Sequence, residues 1–430
     1  LQIDRWIAWP ERVQPGMELA DWLTMKILFC NYEYPPLGGG GGVVMAALAR
    51  QLARRHEVTA LTSRAAGLPA VSDDQGVQVV RAPVFFRRQL AVANFPSMLA
   101  YLPSGLVRGL ALGGAFDVIN THFVVPTGPL GHVLARWRRI PNVLSVHGGD
   151  LFDPSKASSP HRHAPLRAAV RALVRKADAV IGQSRDTVRH VSDIYGVHRR
   201  IELIPLGIER PPEAPTASRA AFGVPENAFV MITIGRLVAR KATTQLIDIL
   251  ALAKSRASNA HLLIVGDGPD APSIRERAAQ LGVGDRVHVL GQITDEAKYA
   301  ALTISDAFVS ASQHEGFGLV FLEAMAFGLP VVCYDHGGQT DFLTTGETGA
   351  VVRLNDTEAF ANAVASLHRD RESRARIARR NRTLVENYFI DACAARYEQV
   401  FDSVIARRNP AARRSSPSNG SSLEPRASDR

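Results

Sequence analysis

Residues 312–332 read SQHEGFGLVFLEAMAFGLPVV. The apolar run AFVSAS (307–312) leads into this stretch and PVVCYD (330–335) closes it. The pattern predicts a strand, a glycine turn, a helix and a second strand. Short apolar runs alternating with helical segments are the signature of a parallel sheet with helices on its faces. Gly316, Phe317 and Gly318 form the turn, and Leu319 and Val320 open the helix. The first amides of a helix have no partner within it, so such a turn presents N–H groups to an anion. Glu315 stands just before the turn and Glu323 eight residues later. On a helix that separation is about 12 Å.

The same alternation runs outward in both directions, and it starts twice. In the first half KILFC (26–30), HEVTALT (56–62), FDVIN (116–120), NVLSVH (142–147), ADAVIGQS and IELIPLG read as strands. In the second half FVMITIG (229–235), HLLIVG (261–266), RVHVLG (286–291) and the two strands already quoted follow. Each half is long enough for a doubly wound α/β domain. The expected division is an extension over 1–24, a first domain over 25–210, a linker over 211–227, a second domain over 228–390, a helix over 391–408 packing back on the first domain, and a disordered tail over 409–430. Two such domains face each other across a cleft. Open parallel sheets bind ligands beyond the carboxyl ends of their strands, so the loops after strands matter most.

Five such loops carry unusual residues. YPPLGGGGGVV (34–44) places Gly39, Gly40 and Gly41 between the first strand and a helix. Glycine permits close backbone approach to a phosphate there. The next strand ends in Thr62, Ser63 and Arg64, without the acidic residue that would hold the ribose of a dinucleotide. GRLVARK (235–241) brings Arg236 and Lys241 to the cleft, two cations suited to a diphosphate. VGDGPD (265–270) reads as a structural turn in which Asp267 caps the next helix. His122 in NTHFVVP and His147 in SVHGGD both stand at strand ends, either as structural histidines or as site groups; Asp150 is placed to orient the second loop. A carboxylate pair that flanks one glycosidic bond is about 5–9.5 Å apart. The Glu315–Glu323 spacing suits the two ends of an extended ligand instead.

Composition narrows the class. The chain has 430 residues, 46% of them hydrophobic and 21% charged, which is ordinary for a globular protein. Cys30, Cys333 and Cys393 are too far apart for a CxxC pair, which argues against a disulfide framework or a zinc site. The net charge is +9, and residues 134–200 hold 13 Lys/Arg against 5 Asp. That basic face is either a solvated surface or a contact with anionic lipid, an acidic acceptor or nucleic acid. Residues 98–116 are the most apolar, but Pro103, Arg108 and four glycines make them a surface or interfacial helix, not a membrane span. RAPVFFRRQLAVANF (81–95) mixes Arg with aromatics, as an acceptor interface or a core-flanking helix would.

Together GRLVARK, VGDGP and EGFGLVFLEAMAFGLPVV resemble, in order and spacing, the retaining glycosyltransferases of family GT4. The likeness spans roughly 26–405. It implies the GT-B fold, two Rossmann-like domains across a cleft, with the acceptor on the first and a UDP- or GDP-linked sugar on the second. By that likeness Glu315 meets the donor sugar's hydroxyls and Glu323 the ribose. Arg236 and Lys241 grip the diphosphate, and Gly316 to Val320 offer backbone N–H groups. Gly39 to Gly41 approach from the other domain, and His147 sits near the anomeric carbon. The expected catalytic set is His147, Glu315, Arg236 and Lys241. The resemblance further implies hexosyl transfer with retention, no required cofactor or metal, and a role in lipid-linked glycan, polysaccharide or glycolipid synthesis. A cytoplasmic enzyme is expected, peripheral on the inner face of the membrane, with no nucleic-acid partner.

Three positions depart from the family pattern. Leu206 in IPLGIE stands where Asn is common, Ala242 replaces the usual glycine, and His122 is the lone histidine where many members show HxH. An epimerase or hydrolase of the same fold, and a non-catalytic nucleotide-sugar binder, are the competing readings.

Overall fold

A computed structural model describes residues 24–85, 95–154, 156–213 and 216–408, with the backbone of a short strand at Ile7–Ala8. Most of the expected extension at 1–24, most of the Arg-aromatic segment at 81–95 and the expected tail at 409–430 lie outside the described residues.

Among the described residues, the first sheet comprises β1 (Ile7–Ala8), β2 (Lys26–Cys30), β3 (Glu57–Arg64), β4 (Val71–Asp74), β5 (Val77–Pro83), β6 (Val118–His122), β7 (Asn142–Val146), β8 (Ala179–Gly182) and β9 (Ile201–Leu203). Their order is β1-β9-β8-β7-β6-β2-β3-β5-β4. All pairs are parallel except β4 with β5. That hairpin was not evident from the sequence. Gln75 and Gly76 both take positive φ, 55° and 87°, in a two-residue turn. Such turns favour Asn-Gly or Asp-Gly, so Gln-Gly gives a weak signal. β5 also changes the reading of Arg81, which is a buried strand residue hydrogen-bonded to Ser72 at 2.7 Å.

The second sheet comprises β10 (Phe229–Ile234), β11 (Ala260–Val265), β12 (Val287–Gly291), β13 (Ala307–Ser310), β14 (Val331–Tyr334) and β15 (Gly349–Val352), in the order β12-β11-β10-β13-β14-β15. It is parallel throughout. This is the doubly wound order, with its switch point between β10 and β13. In the first sheet the corresponding reversal lies between β2 and β6. The loops after these four strands are the quoted motifs. The fold is therefore mixed α/β with two parallel sheets.

The helix Ile390–Arg408 crosses back to the first sheet. Its Tyr397, Phe401 and Val404 join the core around Ile27, Phe29 and Val58. Near the chain crossing, Ile390 N donates to Ile208 O and Ile208 N to Tyr388 O, at 2.8 and 3.0 Å. Leu206 is buried in the second core, which explains an apolar residue where Asn is common. The helix Phe95–Leu110 tucks Tyr101 under the sheet and leaves Leu99 and Val107 exposed. No described helix is long and apolar enough to cross a membrane. Asp267 does not cap the helix Ala271–Gln280; it accepts from Gly268 N within the turn. Cys30, Cys333 and Cys393 are buried and unpaired.

Candidate active site

The loops after β10 and β13 meet at the second switch point. Leu237 is buried and anchors the first loop, which then tightens into a 3-10 turn at Ala239–Lys241. Lys241 Nζ pairs with Glu315 Oε1, and Arg240 Nη1 lies 3.7 Å from Glu315 Oε2. Arg240 also donates to His314 O, while its own carbonyl accepts from Gln313 N at 2.9 Å. Glu315 is 6% exposed. Burial pushes its pKa up. The charges of Lys241 and Arg240, with hydrogen bonds from Lys241 and Ser312, outweigh burial and hold the carboxyl below its usual range. It is an ionised carboxylate, paired and turned toward the loop of cations.

Arg236 is different. Its side chain is exposed and makes no hydrogen bond or ion pair among the described residues. Arg240, which the sequence reading did not single out, is the arginine of this loop that lies beside Glu315. Both lie in GRLVARK, and only the 3-10 turn decides which one faces Glu315. Ala242 carries φ +45°, left-handed backbone that glycine adopts freely and alanine at a cost of about 1–2 kcal/mol. That backbone suits the glycine of the family pattern, so alanine here carries a cost.

Gly318 takes φ +93°, and a Cβ there would come within 2.4 Å of the Phe321 ring. It opens the helix Leu319–Ala326, which no side chain caps. Phe317 is buried in the second core and fixes the turn from behind. Glu323, on that helix, lies 3.5 Å from Lys298 Nζ. Burial raises its pKa more than Lys298 lowers it.

From the first half, His147 follows β7. Its ring Nε2 lies 2.9 Å from His122 Nδ1, and it stacks on Phe123 at 4.2 Å. Burial lowers its pKa from 6.5 to about 4, against a raising contribution from the Gln183 side chain. Asp150 orients this loop, accepting from His147 N at 2.9 Å and Val124 N at 2.6 Å. Phe123 also meets the glycine loop: a Cβ on Gly41 would fall 2.4 Å from its Cζ. Gly40 begins the helix Gly40–Ala53, and Gly39 N donates to Glu33 Oε2 at 3.2 Å.

The halves touch at the site. A Cβ on Gly148 would lie 3.5 Å from Gly316 Cα. Gln183 Nε2 donates to His147 O, and Ser184 Oγ to Gly316 O, at 2.6 and 3.2 Å. Arg185 N donates to Asp341 Oδ2 at 2.7 Å. The structure thus links Gly41, His147, Gly316, Glu315 and Lys241 in one cluster. Glu323 stands farther along its helix, and Arg236 is not drawn in. Arg240, Phe123, Gln183, Ser184 and Asp341 were not singled out from the sequence. Only the histidine pair left a trace there, as two histidines at neighbouring strand ends. Among the described residues no three His, Cys, Asp or Glu side chains converge as a metal-ligand set.

Two doubly wound sheets whose switch-point loops meet at one cluster make the GT-B fold. Residues 216–384 match the family Glycosyl transferases group 1, and residues 38–210 match Glycosyltransferase Family 4. The D-inositol 3-phosphate glycosyltransferase of Stackebrandtia nassauensis is 30% identical over 372 residues, 80% of this chain and 83% of its own. A GDP-mannose-dependent alpha-(1-6)-phosphatidylinositol monomannoside mannosyltransferase of Mycolicibacterium smegmatis is 28% identical, covering 80% and 89%. The structure of Anabaena HepE in complex with UDP-glucose superimposes with a TM-score of 0.66 at 21% identity, over 88% of this chain and all of that one. The chain belongs to the family 4 glycosyltransferases.

Proposed function

We propose that the chain is a retaining, metal-independent hexosyltransferase that uses a UDP- or GDP-sugar. The single observation that carries this reading is the Lys241–Glu315 pair, held at the switch point next to Gly316, where a Cβ would lie 3.4 Å from His147 O. A donor has a sugar rich in hydroxyls and a diphosphate rich in charge. Glu315 accepts from sugar hydroxyls, while Lys241, Arg240 and the exposed Arg236 meet the diphosphate. The uncapped amides of Leu319 and Val320 add donors to a phosphate. Glu323 takes the ribose hydroxyls, and Gly39 to Gly41 close from the first half.

In the reaction the C1–O bond to the diphosphate breaks and a C1–O bond to the acceptor hydroxyl forms on the same face of the sugar. The hydroxyl proton leaves to a diphosphate oxygen. The cations stabilise charge as it grows on the leaving group. The acceptor is read as a lipid-linked glycan, polysaccharide or glycolipid. The mannosyltransferase similarity supports this, since its acceptor is a phosphatidylinositol glycoside. The basic first half and the exposed Trp137 suit docking on the inner membrane face.

The test is thermal stabilisation by UDP and by GDP, followed by donor turnover with and without a chelator. Ligand at 100 times its Kd adds about 2.7 kcal/mol. No shift with either nucleotide rejects the donor site. Hydrolysis without transfer to any hydroxyl acceptor points to the hydrolase reading. Binding to vesicles only when they are anionic, and weaker in salt, is expected of the membrane contact; binding to neutral vesicles alone rejects it.

A further inference from the structure

β6 is a central strand, yet three of its five residues, Asn120, Thr121 and His122, are polar and almost fully buried. Each polar atom in such a place needs a partner. Their hydrogen bonds, followed from one end, leave little freedom.

Asn120 lies 3.0 Å from Val143 O and 3.0 Å from Ser145 Oγ through one atom of its amide. A main-chain carbonyl only accepts, so that atom is Nδ2. Asn120 Oδ1 therefore faces His122 Nε2, at 2.7 Å, and only accepts. His122 must carry its proton on Nε2. Burial and the neighbouring His147 hold His122 far below its usual pKa, so it is neutral and its Nδ1 is a bare lone pair. That nitrogen is 2.9 Å from His147 Nε2. His147 must then carry its proton on Nε2, which leaves Nδ1 as its acceptor.

The ring planes are held as well. His122 stacks with Phe29, at 5.3 Å, and with Tyr397, at 6.3 Å. Tyr397 comes from the returning C-terminal helix, and its hydroxyl donates to Ser145 Oγ, the same oxygen that accepts from Asn120. At the far end Gln183 spends its amide donor on His147 O, and its own carbonyl oxygen is buried without a partner.

We propose that Asn120 and His122 are positioning residues that lock His147 in the Nε2–H tautomer, so that its Nδ1 receives a hydroxyl proton donor from the bound substrate. Neither residue touches substrate; they act through His147. A histidine free to exchange tautomers presents an N–H for part of the time and repels the same hydroxyl hydrogen. The inference rests on the donor-site reading for its substrate, but the tautomer itself does not.

The experiment uses the full chain with 15N-labelled histidine. Imidazole 15N NMR of the unliganded protein is expected to show His147 protonated on Nε2 and bare on Nδ1. A proton on Nδ1 overturns the proposal outright. His122→Phe keeps the stack and removes both nitrogens; Asn120→Ala removes only the anchor. Both are expected to shift His147 toward the Nδ1–H form. Both should lower kcat at least about 10-fold while KM for the nucleotide sugar changes less than about 2-fold. Should either folded variant keep the wild-type tautomer and kcat, the relay has no role. An Nε2–H tautomer in a protein that no nucleotide stabilises sinks the donor reading and supports the relay. Nucleotide stabilisation with an Nδ1–H tautomer does the reverse.

Discussion

Lys241 and Glu315, 74 residues apart, form a part-buried ion pair that joins the loops after β10 and β13. The family resemblance assigns Glu315 to the donor sugar and Lys241 to the diphosphate, and in the structure the two pair with each other. On the donor-site proposal, a bound diphosphate exchanges one anion for another around Lys241.

Lys241→Ala removes the nearer cation and leaves Glu315 with Arg240 at 3.7 Å. Breaking a buried pair from one side costs about 3–5 kcal/mol. Turnover is expected to fall about 10²–10³-fold, and the unfolding midpoint to fall with it. Adding Glu315→Gln should restore part of the stability and none of the turnover. Denaturant melts and initial rates check this; a double variant whose stability loss equals the sum of the singles rejects the coupling.

Acid sensitivity follows from two groups with opposite signs. His147 is lowered from 6.5 to about 4, so the unfolded chain binds its proton first. Its contribution is complete above pH 6.5 and is lost as pH falls toward 4, about 3 kcal/mol in all. Asp150 is raised by burial from 3.8 to about 6, so its ionisation opposes folding, and acidification through that range relieves it. His147→Gln should therefore lose less stability than wild type between pH 6.5 and 4. Urea titrations across that window decide it, and parallel curves count against buried neutral His147.

Gly41→Ala places a methyl where the Phe123 ring lies, 2.4 Å from Cζ. The ring must move, and it carries His147 on its other contact at 4.2 Å. Overpacking of this kind costs about 1–3 kcal/mol. Nucleotide-sugar turnover should fall more than nucleotide binding does. Equal losses in both, measured by kinetics and thermal shift, place Gly41 in binding alone.

Ala242→Gly relieves left-handed backbone at φ +45°. The relief, less the flexibility glycine adds to the unfolded chain, is up to about 1 kcal/mol. A melting temperature that rises or holds is expected; a clear drop removes the strain argument.

Much of the fold was legible because its signals are local. Buried parallel strands read as short apolar runs, and glycines mark the turns after them. The two-strand hairpin was less legible, since Gln75 takes positive φ without the residue type that advertises it. Glu315 and Lys241 were found through their motifs. Arg240 was not, because Arg236 and Arg240 are equivalent in composition and differ only in where a 3-10 turn aims them.

By itself the sequence determined the two α/β halves, the loops that carry the site and the spacing between Glu315 and Glu323. Those are properties of chain neighbours within a turn or a strand. The tertiary structure alone decided which cation pairs with Glu315 and which atom of His147 is free. It also decided that a helix at the end of the chain stacks Tyr397 on His122. These depend on contacts between segments far apart in the chain, such as His122 with His147 or Tyr397 with Ser145. Hydrogen bonds have direction, and a direction exists only once both partners have been placed.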